Sequence, residues 1–251
     1  GKRAKPSRGI KQRSRAMANF ASPAELARLR DHEKVLVYGE NTSRVTKALW
    51  MLEETGVPYE RVVKPTTEFR TSPDYLRLNP KGTVPTAVFP GDDGPPLVLN
   101  ESNTITSYVA SKYSPGVLYP ASPEQVATGW QWLEWGESSV QPTLAPVWIG
   151  LTRGDGYPPG RGNQLQVDRD PGGSGSPARV NGVAIADMMC VWAALEAHLA
   201  AGERRFILGD NFTFADVTAG IHANRLFHLG PEKLGVDAAA ALPRTHEWYG
   251  R

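Results

Sequence analysis

The stretch of residues 35–63 constrains the fold most, because its hydrophobic period changes twice. Val35–Tyr38 is an apolar run too short for a helix and is followed by a glycine, so we predict a buried strand. Apolar residues then recur at helical spacing, and Gly56 and Pro58 predict where that helix ends. Residues 59–63 predict a second strand. Strand, helix and strand within about 30 residues form a βαβ unit.

A hairpin and a further helix complete this part of the chain. Residues 86–89 and 97–99 read as two short strands, joined by a turn-rich linker over residues 90–96. A helix is predicted from about Ser102. The order β-α-β and then β-β-α indicates a compact mixed α/β domain that closes near residue 114.

The pattern is helical over residues 122–251, apart from one interruption. Residues 150–182 contain nine glycines and four prolines, which predicts a long mobile insertion without a helix. Thr213 and Asp216 have the spacing of a capping box with Asp in place of the usual Glu, so we predict a helix start of structural significance there.

Cysteine and histidine usage limits the chemistry. The single cysteine, Cys190, excludes an internal disulfide framework and a cysteine-based zinc cluster, which makes a reducing compartment the default. The five histidines show no zinc-ligand spacing, so we expect no metal. No apolar run approaches the roughly 20 residues that span a bilayer, so we expect no transmembrane segment.

The positive charge of the chain is concentrated at its beginning. Residues 1–15 carry seven basic side chains and no acid, and removing these from the 28 basic residues leaves 21 against 26 acidic ones, a formal charge of −5. Residues 1–34 therefore form a basic, flexible arm. The arm suits an organelle transit-peptide remnant, a segment that binds RNA, anionic lipid or an acidic partner, or a disordered extension without a partner. We expect a cytoplasmic location, or a mitochondrial or plastid one if the arm is a transit-peptide remnant.

The turn between the first strand and the first helix, Asn41–Thr42–Ser43, is the first candidate site. A helix N-terminus offers free backbone N–H groups and partial positive charge, which favour an anion and lower the pKa of a thiol placed there. No cysteine stands at this turn, so a thiol would have to come from a ligand. The alternative is that Thr42 or Ser43 simply caps the helix.

Two further candidates follow along the chain. A cis Pro85 would leave the N–H and C=O of Val84 unpaired and open to an extended peptide, although an edge-strand proline would have the same sequence. Ser102 and nearby amides can hold a carboxylate at a helix N-terminus, and Glu101 can pair with an ammonium group. Capping alone also explains Glu101 and Ser102.

In their order and spacing, these segments together resemble the glutathione transferase superfamily, with the tryptophan-rich segment most similar to bacterial-type members. Related theta- and nu-like proteins are the expected neighbours. The matching segments are Tyr38–Gly39, Asn41–Val45, Lys47–Trp50, Leu78–Pro85, Glu101–Ile105, Trp130–Trp135 and Phe212–Asp216.

The resemblance implies a thioredoxin-like domain of order β-α-β-α-β-β-α at residues 35–114, followed by an all-helical domain. It implies glutathione as co-substrate. Val84, preceding Pro85, would pair its backbone with the cysteinyl part, Glu101 and Ser102 would hold the γ-glutamyl ammonium and carboxylate, and Lys81 would approach the glycyl carboxylate.

The glutathione thiol would then lie over Asn41, Thr42 or Ser43. In theta- and delta-type members the activating serine stands three residues before an arginine; here that position is Asn41, three residues before Arg44. Some bacterial disulfide-reductase-like members use Asn or Thr there. The resemblance thus implies a thiolate that attacks an electrophile or a disulfide, in a pocket between the domains near Trp135 and Trp148.

Two functions remain open from the sequence. One is an enzyme that conjugates glutathione to a small electrophile or reduces disulfides with it. The other is a non-catalytic glutathione transferase-like subunit of a larger assembly, which the basic arm and the 150–182 insertion favour. In either case we expect a homodimer, as relatives usually form.

Overall fold

The computed structural model describes residues 33–91, 94–153 and 182–251. The chain divides into two compact units whose boundary falls between Val109 and Ala110. Residues 1–32 of the basic arm, and residues 154–181 of the 150–182 insertion, lie outside the described residues.

The first unit contains a four-stranded mixed sheet. Its strands are β1 (Val35–Tyr38), β2 (Tyr59–Val62), β3 (Thr86–Phe89) and β4 (Leu97–Asn100), in the order β2-β1-β3-β4. β1 and β2 are parallel, with Tyr38 opposite Val62, and β3 runs antiparallel to both β1 and β4. The predicted βαβ unit and hairpin are therefore confirmed.

Three helices lie between the strands, α1 (Ser43–Thr55), α2 (Thr66–Thr71) and α3 (Pro73–Leu78), and a fourth, α4 (Ser102–Tyr113), follows β4. α1 begins at its cap, Thr42, and ends at Gly56, whose φ of 65° needs a glycine. The expected order has one helix between β2 and β3, whereas the structure has two. Ser72 caps α3 by accepting a hydrogen bond from the Tyr75 amide (3.3 Å), and Pro73 begins the new helix because it has no N–H to continue the old one.

Buried apolar side chains from the sheet and from two helices form the core of the first unit. β1 and β3 are buried along almost their whole length, and α1 and α4 each bury an apolar stripe. The fully buried stripe residues are Val45, Ala48, Met51 and Leu52 on α1 and Ile105 and Val109 on α4.

Within its described residues, the second unit is helical. Its helices are α5 (Pro123–Trp135), α6 (Gln141–Arg153), α7 (Gly182–Ala201), α8 (Phe214–Leu234), α9 (Ala238–Ala241) and α10 (Pro243–Tyr249), and a π-helical turn at Gly136–Val140 connects α5 with α6. α8 is kinked at Gly230–Pro231. α6 continues through Gly150 to Arg153, so the prediction that no helix enters residues 150–182 is wrong at that edge.

The long apolar helix α7 bears on the expectation of no transmembrane segment, which stays a prediction. Within the described residues it is the one helix long and apolar enough to cross a membrane, with a mean hydropathy of 1.5 and 22% of the window buried. Asp187 and Glu196 interrupt its apolar run. One such helix is weak evidence for a span, since helices packed in helical domains meet the same criterion; α7 buries Met188, Trp192 and two leucines in a stripe.

Candidate functional site

The turn before α1 places its three candidate side chains in different roles. Thr42 caps α1, because its Oγ1 accepts a hydrogen bond from the Val45 amide at 3.4 Å. Asn41 is exposed, and its Oδ1 accepts a hydrogen bond from Arg61 Nη2 at 2.7 Å. Ser43 is half-buried as the first residue of the helix. The first turn of α1 contains no acidic residue, so its positive end is available to an anion.

Arg61 is a site residue that the sequence reasoning missed. It lies on β2, which pairs in parallel with β1, and Arg61 stands opposite Val37. The parallel register therefore brings it to the turn that follows β1. Because its guanidinium binds the Asn41 oxygen, the Asn41 amide hydrogens are directed away from Arg61, and a positive charge lies at the turn.

The loop before β3 presents an unpaired peptide backbone. The Val84–Pro85 bond is cis. In the described part of the chain, neither the N–H nor the C=O of Val84 has a hydrogen-bond partner. The loop is held from behind by the fully buried Asn79, whose Nδ2 donates to Thr83 O at 2.8 Å and to Thr86 Oγ1 at 3.1 Å. The backbone of Val84 is thus fixed and available to an extended ligand.

Tyr75 strengthens the support behind this loop. Its hydroxyl donates to Thr83 O at 2.5 Å and lies 2.8 Å from Thr86 Oγ1. Burial raises the pKa of the Tyr75 hydroxyl, which keeps it protonated and able to donate.

Gly39 brings the turn before α1 and the Val84 loop together. A Cβ atom at Gly39 would lie 3.2 Å from Val84 Cβ and 2.5 Å from Val45 Cγ2, so only a glycine permits this approach. Its φ of 148° also disfavours other residues. The first two candidate sites predicted from the sequence therefore belong to one surface.

The first turn of α4 is open to an anion. The first amide to bond within the helix is that of Ile105, which donates to Glu101 O at 3.0 Å, so the amides of residues 102–104 precede the helical ladder. No acidic side chain stands in this turn. Ser102 is only 5% exposed and lies at its start.

An ion pair connects the α4 turn with the loop before β3. Lys81 Nζ donates to Glu101 Oε1, and the two side chains are 47% and 62% exposed. The structure thus pairs the two residues that the sequence assigned to opposite charges of one ligand. An exposed pair of this kind contributes about 0–1 kcal/mol, so a ligand with its own carboxylate and ammonium can replace it at little cost.

Comparison with known proteins agrees with this arrangement in both units. The family model of the glutathione S-transferase N-terminal domain matches residues 43–112, and that of the C-terminal domain matches residues 184–251. Glutathione S-transferase 3 of Zea mays is 33% identical over 219 residues, covering 85% of this chain and 86% of that protein.

The chain belongs to the glutathione S-transferase family. It is also similar to glutathione S-transferase GstB of Escherichia coli K12, with 29% identity over 86% of this chain and 91% of that protein. The theta class glutathione S-transferase of Xanthomonas axonopodis pv. citri, solved with glutathione bound, is 28% identical with a TM-score of 0.64, over 86% of this chain and 91% of that one. A glutathione transferase from Burkholderia graminis shares the fold at 23% identity and a TM-score of 0.68, over 93% and 91% of the two chains.

The glutathione S-transferase fold confirms the predicted thioredoxin-like and all-helical domains. The N-terminal family match includes Ser43, Lys81, Val84, Pro85 and both residues before and at the start of α4, whereas Asn41 and Thr42 precede it. The roles of these residues toward glutathione stay predictions.

The two tryptophans predicted to line an electrophile pocket take part in packing. Trp135 lies edge-on to Trp132 (5.1 Å between ring centroids) and to Trp192 (5.5 Å). Trp148 lies 5.0 Å from the Arg225 guanidinium. Both tryptophans are half-buried, and their contact with a second substrate stays a prediction.

Proposed function

We propose that this chain is a glutathione transferase whose glutathione thiolate attacks a small electrophile or a disulfide. The observation that carries the proposal is the start of α4, where the amides of residues 102–104 precede the helical ladder, Glu101 stands directly before the helix and the first turn contains no acidic residue. A carboxylate and an ammonium on one carbon, as in the γ-glutamyl end of glutathione, match that set.

The rest of the ligand follows from the fixed neighbours of this turn. The cysteinyl backbone pairs with the N–H and C=O of Val84, as an added strand would. Lys81 exchanges Glu101 for the glycyl carboxylate, and Glu101 turns to the ammonium. The thiol then lies beside the turn before α1, because Gly39 packs that turn against Val84.

Asn41 is the best-placed donor to the thiolate. The Thr42 hydroxyl is held at the cap of α1, where its oxygen accepts from the Val45 amide, whereas Asn41 is exposed and has two amide hydrogens directed away from Arg61. A donated hydrogen bond, the positive end of α1 and Arg61 together lower the pKa of the glutathione thiol. Ser43 at the start of α1 is the second choice.

The chemistry requires no cysteine from the protein. In conjugation, the thiolate sulfur forms a bond to carbon and a leaving group departs, as chloride does from chlorodinitrobenzene. In disulfide reduction, the glutathione thiolate forms a mixed disulfide with one half of the substrate and expels the other half as a thiolate. A second glutathione thiolate then attacks the glutathione sulfur of the mixed disulfide, which forms glutathione disulfide and releases the remaining half as a thiolate. The single cysteine, Cys190, belongs to the second unit, and the first unit contains none.

The test is retention on a glutathione-affinity column combined with two assays, one with chlorodinitrobenzene and one with hydroxyethyl disulfide. We expect retention, elution by free glutathione, and turnover of at least one substrate. The absence of both retention and turnover would contradict the proposal. Retention without turnover would instead favour the non-catalytic subunit of a larger assembly.

Alanine substitutions separate the three turn residues. We expect Asn41→Ala to lower kcat about tenfold or more, since hydrogen bonds to charged groups contribute roughly 1.5–3 kcal/mol. Arg61→Met should lower kcat in the same direction, whereas Lys64→Met, an equal change of charge further along that segment, serves as its control. Thr42→Ala should mainly lower stability, by about 1 kcal/mol. Unchanged kcat in Asn41→Ala, Thr42→Ala and Ser43→Ala alike would refute this placement of the thiol.

We further propose a homodimer and a cytoplasmic location, with a mitochondrial or plastid location if residues 1–34 are a transit-peptide remnant. Both are supported only by the sequence expectations given above. Sedimentation of the full chain and localisation of a tagged copy test them.

A further inference from the structure

Lys47 is a lysine in the core of the first unit. It is 0% exposed, among the largest fully buried side chains of the described residues, and shares the buried face of α1 with Val45, Ala48 and Met51. Lysine is almost never fully buried unless its ammonium has a partner, because removing the charge from water is costly. The burial of a lysine at this position therefore needs an explanation, whereas the burial of an apolar side chain of the same length would need none.

The ammonium of Lys47 reaches the start of α4. Its Nζ donates to Asn103 Oδ1 at 3.2 Å, a contact between residues 56 apart in the chain. Asn103 is the second residue of α4 and directly follows Ser102. Lys47 itself stands one helical turn after Ser43. The bond thus joins the helix that begins at the proposed thiol site to the helix that begins at the proposed carboxylate site.

This contact fixes the orientation of a second donor. A carboxamide carries its acceptor oxygen on one side and its two donor hydrogens on the other. Because the Asn103 oxygen faces Lys47, its Nδ2 hydrogens point away from the ammonium. They belong to a turn in which the amides of residues 102–104 precede the helical ladder and no acidic side chain stands.

The buried charge also acts on the turn from a distance. Charge interactions are weakly screened inside a protein, so an ammonium in the core is felt more strongly than one in water at the same separation. The positive end of α4 and the Lys47 ammonium act in the same sense on an anion at Ser102.

We propose that Lys47 is a positioning residue for the γ-glutamyl carboxylate of glutathione: it holds the Asn103 carboxamide and supplies buried positive charge behind the first turn of α4. The inference rests on the proposed function, because it assigns a support to that same site. Lys47 does not touch the ligand; it acts through Asn103 and through its charge.

The test compares two ligands that differ by the carboxylate alone. One is glutathione, and the other is 4-aminobutanoyl-cysteinylglycine, in which hydrogen replaces the γ-glutamyl α-carboxylate. Affinities are measured by isothermal titration calorimetry on the full chain. The variants are Lys47→Met, which keeps length without charge, Lys47→Arg, which keeps charge, and Asn103→Ala. Met51→Ala is the matched control, because it opens the same buried face of α1 without changing charge.

We expect the wild-type chain to bind glutathione about tenfold more tightly than the analogue, as for loss of one charge-assisted hydrogen bond. Lys47→Met and Asn103→Ala should remove that preference, because they lower the affinity for glutathione and leave the affinity for the analogue unchanged. Lys47→Arg and Met51→Ala should keep the preference, even where Met51→Ala lowers the melting temperature. If Lys47→Met does not fold, Asn103→Ala and Lys47→Arg still decide the matter.

Other outcomes separate the inference from the proposed function. An unchanged preference in both Lys47→Met and Asn103→Ala would overturn the inference while the glutathione site stands. Equal affinity of the wild-type chain for the two ligands would also overturn it, because no carboxylate would then be held. A wild-type chain that binds neither ligand would contradict the proposed function itself.

Discussion

The first turns of α4 and α8 begin two helices of similar importance in the two units, yet the two turns differ in whether an acidic side chain of the protein meets their amides. In α8 the third residue is Asp216, which is 1% exposed and accepts hydrogen bonds from four donors: the amides of Ile207 and Thr213, the Thr213 hydroxyl and Trp248 Nε1, at 2.8–3.1 Å. In α4 the third residue is Thr104, which is exposed, and the turn contains no acid.

The difference shows how one local structure serves folding in one unit and ligand binding in the other. The α8 turn holds a carboxylate of the protein's own, which links the segment before the helix to the last helix, α10. The predicted capping box of Thr213 and Asp216 is present, and the Thr213 hydroxyl also donates to the Asp216 carboxylate at 3.1 Å. The α4 turn lacks such a group, so a carboxylate from outside can take its place.

The largest effect is expected from removing the internal carboxylate. Asp216→Ala leaves four donors without their acceptor in the core, so the free energy of unfolding should fall by about 3 kcal/mol or more. Asp237→Ala is the matched control, because Asp237 caps α9 at the surface by accepting a hydrogen bond from the Ala240 amide at 3.0 Å. This variant should lower the free energy of unfolding by about 1 kcal/mol. Denaturant unfolding measures both, and equal losses would contradict the distinction between the two turns.

A smaller effect is expected from giving α4 the acid that α8 has. Thr104→Asp places a carboxylate at the position equivalent to Asp216, where it should repel the glutathione carboxylate and lower its affinity about tenfold to hundredfold. Stability should stay equal or rise by roughly 0.5 kcal/mol, since an acid favours a helix N-terminus. Thr104→Asn introduces a side chain of the same shape as aspartate without its charge, so its affinity for glutathione should stay that of the wild-type chain. Calorimetric titration tests this, and equal affinities of the two variants would break the comparison.

The smallest effect concerns pH and a histidine attached to the α8 turn. His198 Nε2 contacts Ile207 O at 2.8 Å, and the Ile207 amide bonds Asp216. Burial lowers the pKa of His198 from its ordinary value of 6.5, partly opposed by the Ile207 contact and aided by the nearby Arg204 charge. The folded protein therefore binds fewer protons than the unfolded chain near and below that value, and the free energy of unfolding falls as the pH drops.

The measurement is denaturant unfolding between about pH 7.5 and about pH 5.5, with and without His198→Gln. The variant should show a shallower loss of stability on acidification than the wild-type chain. Identical pH slopes would show that His198 does not contribute to this unit's stability in the way described.

Much of this could be predicted from the sequence, because the signals are local. The change of period over residues 35–63 gave β1, α1 and β2 correctly, and the turn-rich linker gave the hairpin of β3 and β4. The start of α4 at Ser102 was also correct. These features depend on residues close in the chain, whose spacing reports which face is buried.

What could not be predicted depends on contacts between distant residues. Arg61 reaches Asn41 only through the parallel register of β1 and β2. Lys47 stands four residues before Met51, so the two share one face of α1. A lysine on such a face ordinarily extends its ammonium to solvent. Only the fold shows that Asn103 lies beside the Lys47 ammonium. The helices α2 and α3 each contain too few residues to show a clear helical period in the sequence.

The most direct test of the central claim is a glutathione titration of the ¹⁵N-labelled chain followed by amide chemical shifts. We expect saturable shifts at the amides of Ser102, Asn103 and Val84 in the first unit, with the amides of Thr213 and Asp216 unchanged. Shifts absent from Ser102 and Asn103, or concentrated at the α8 turn instead, would contradict the assignment of the open α4 turn as the glutathione site.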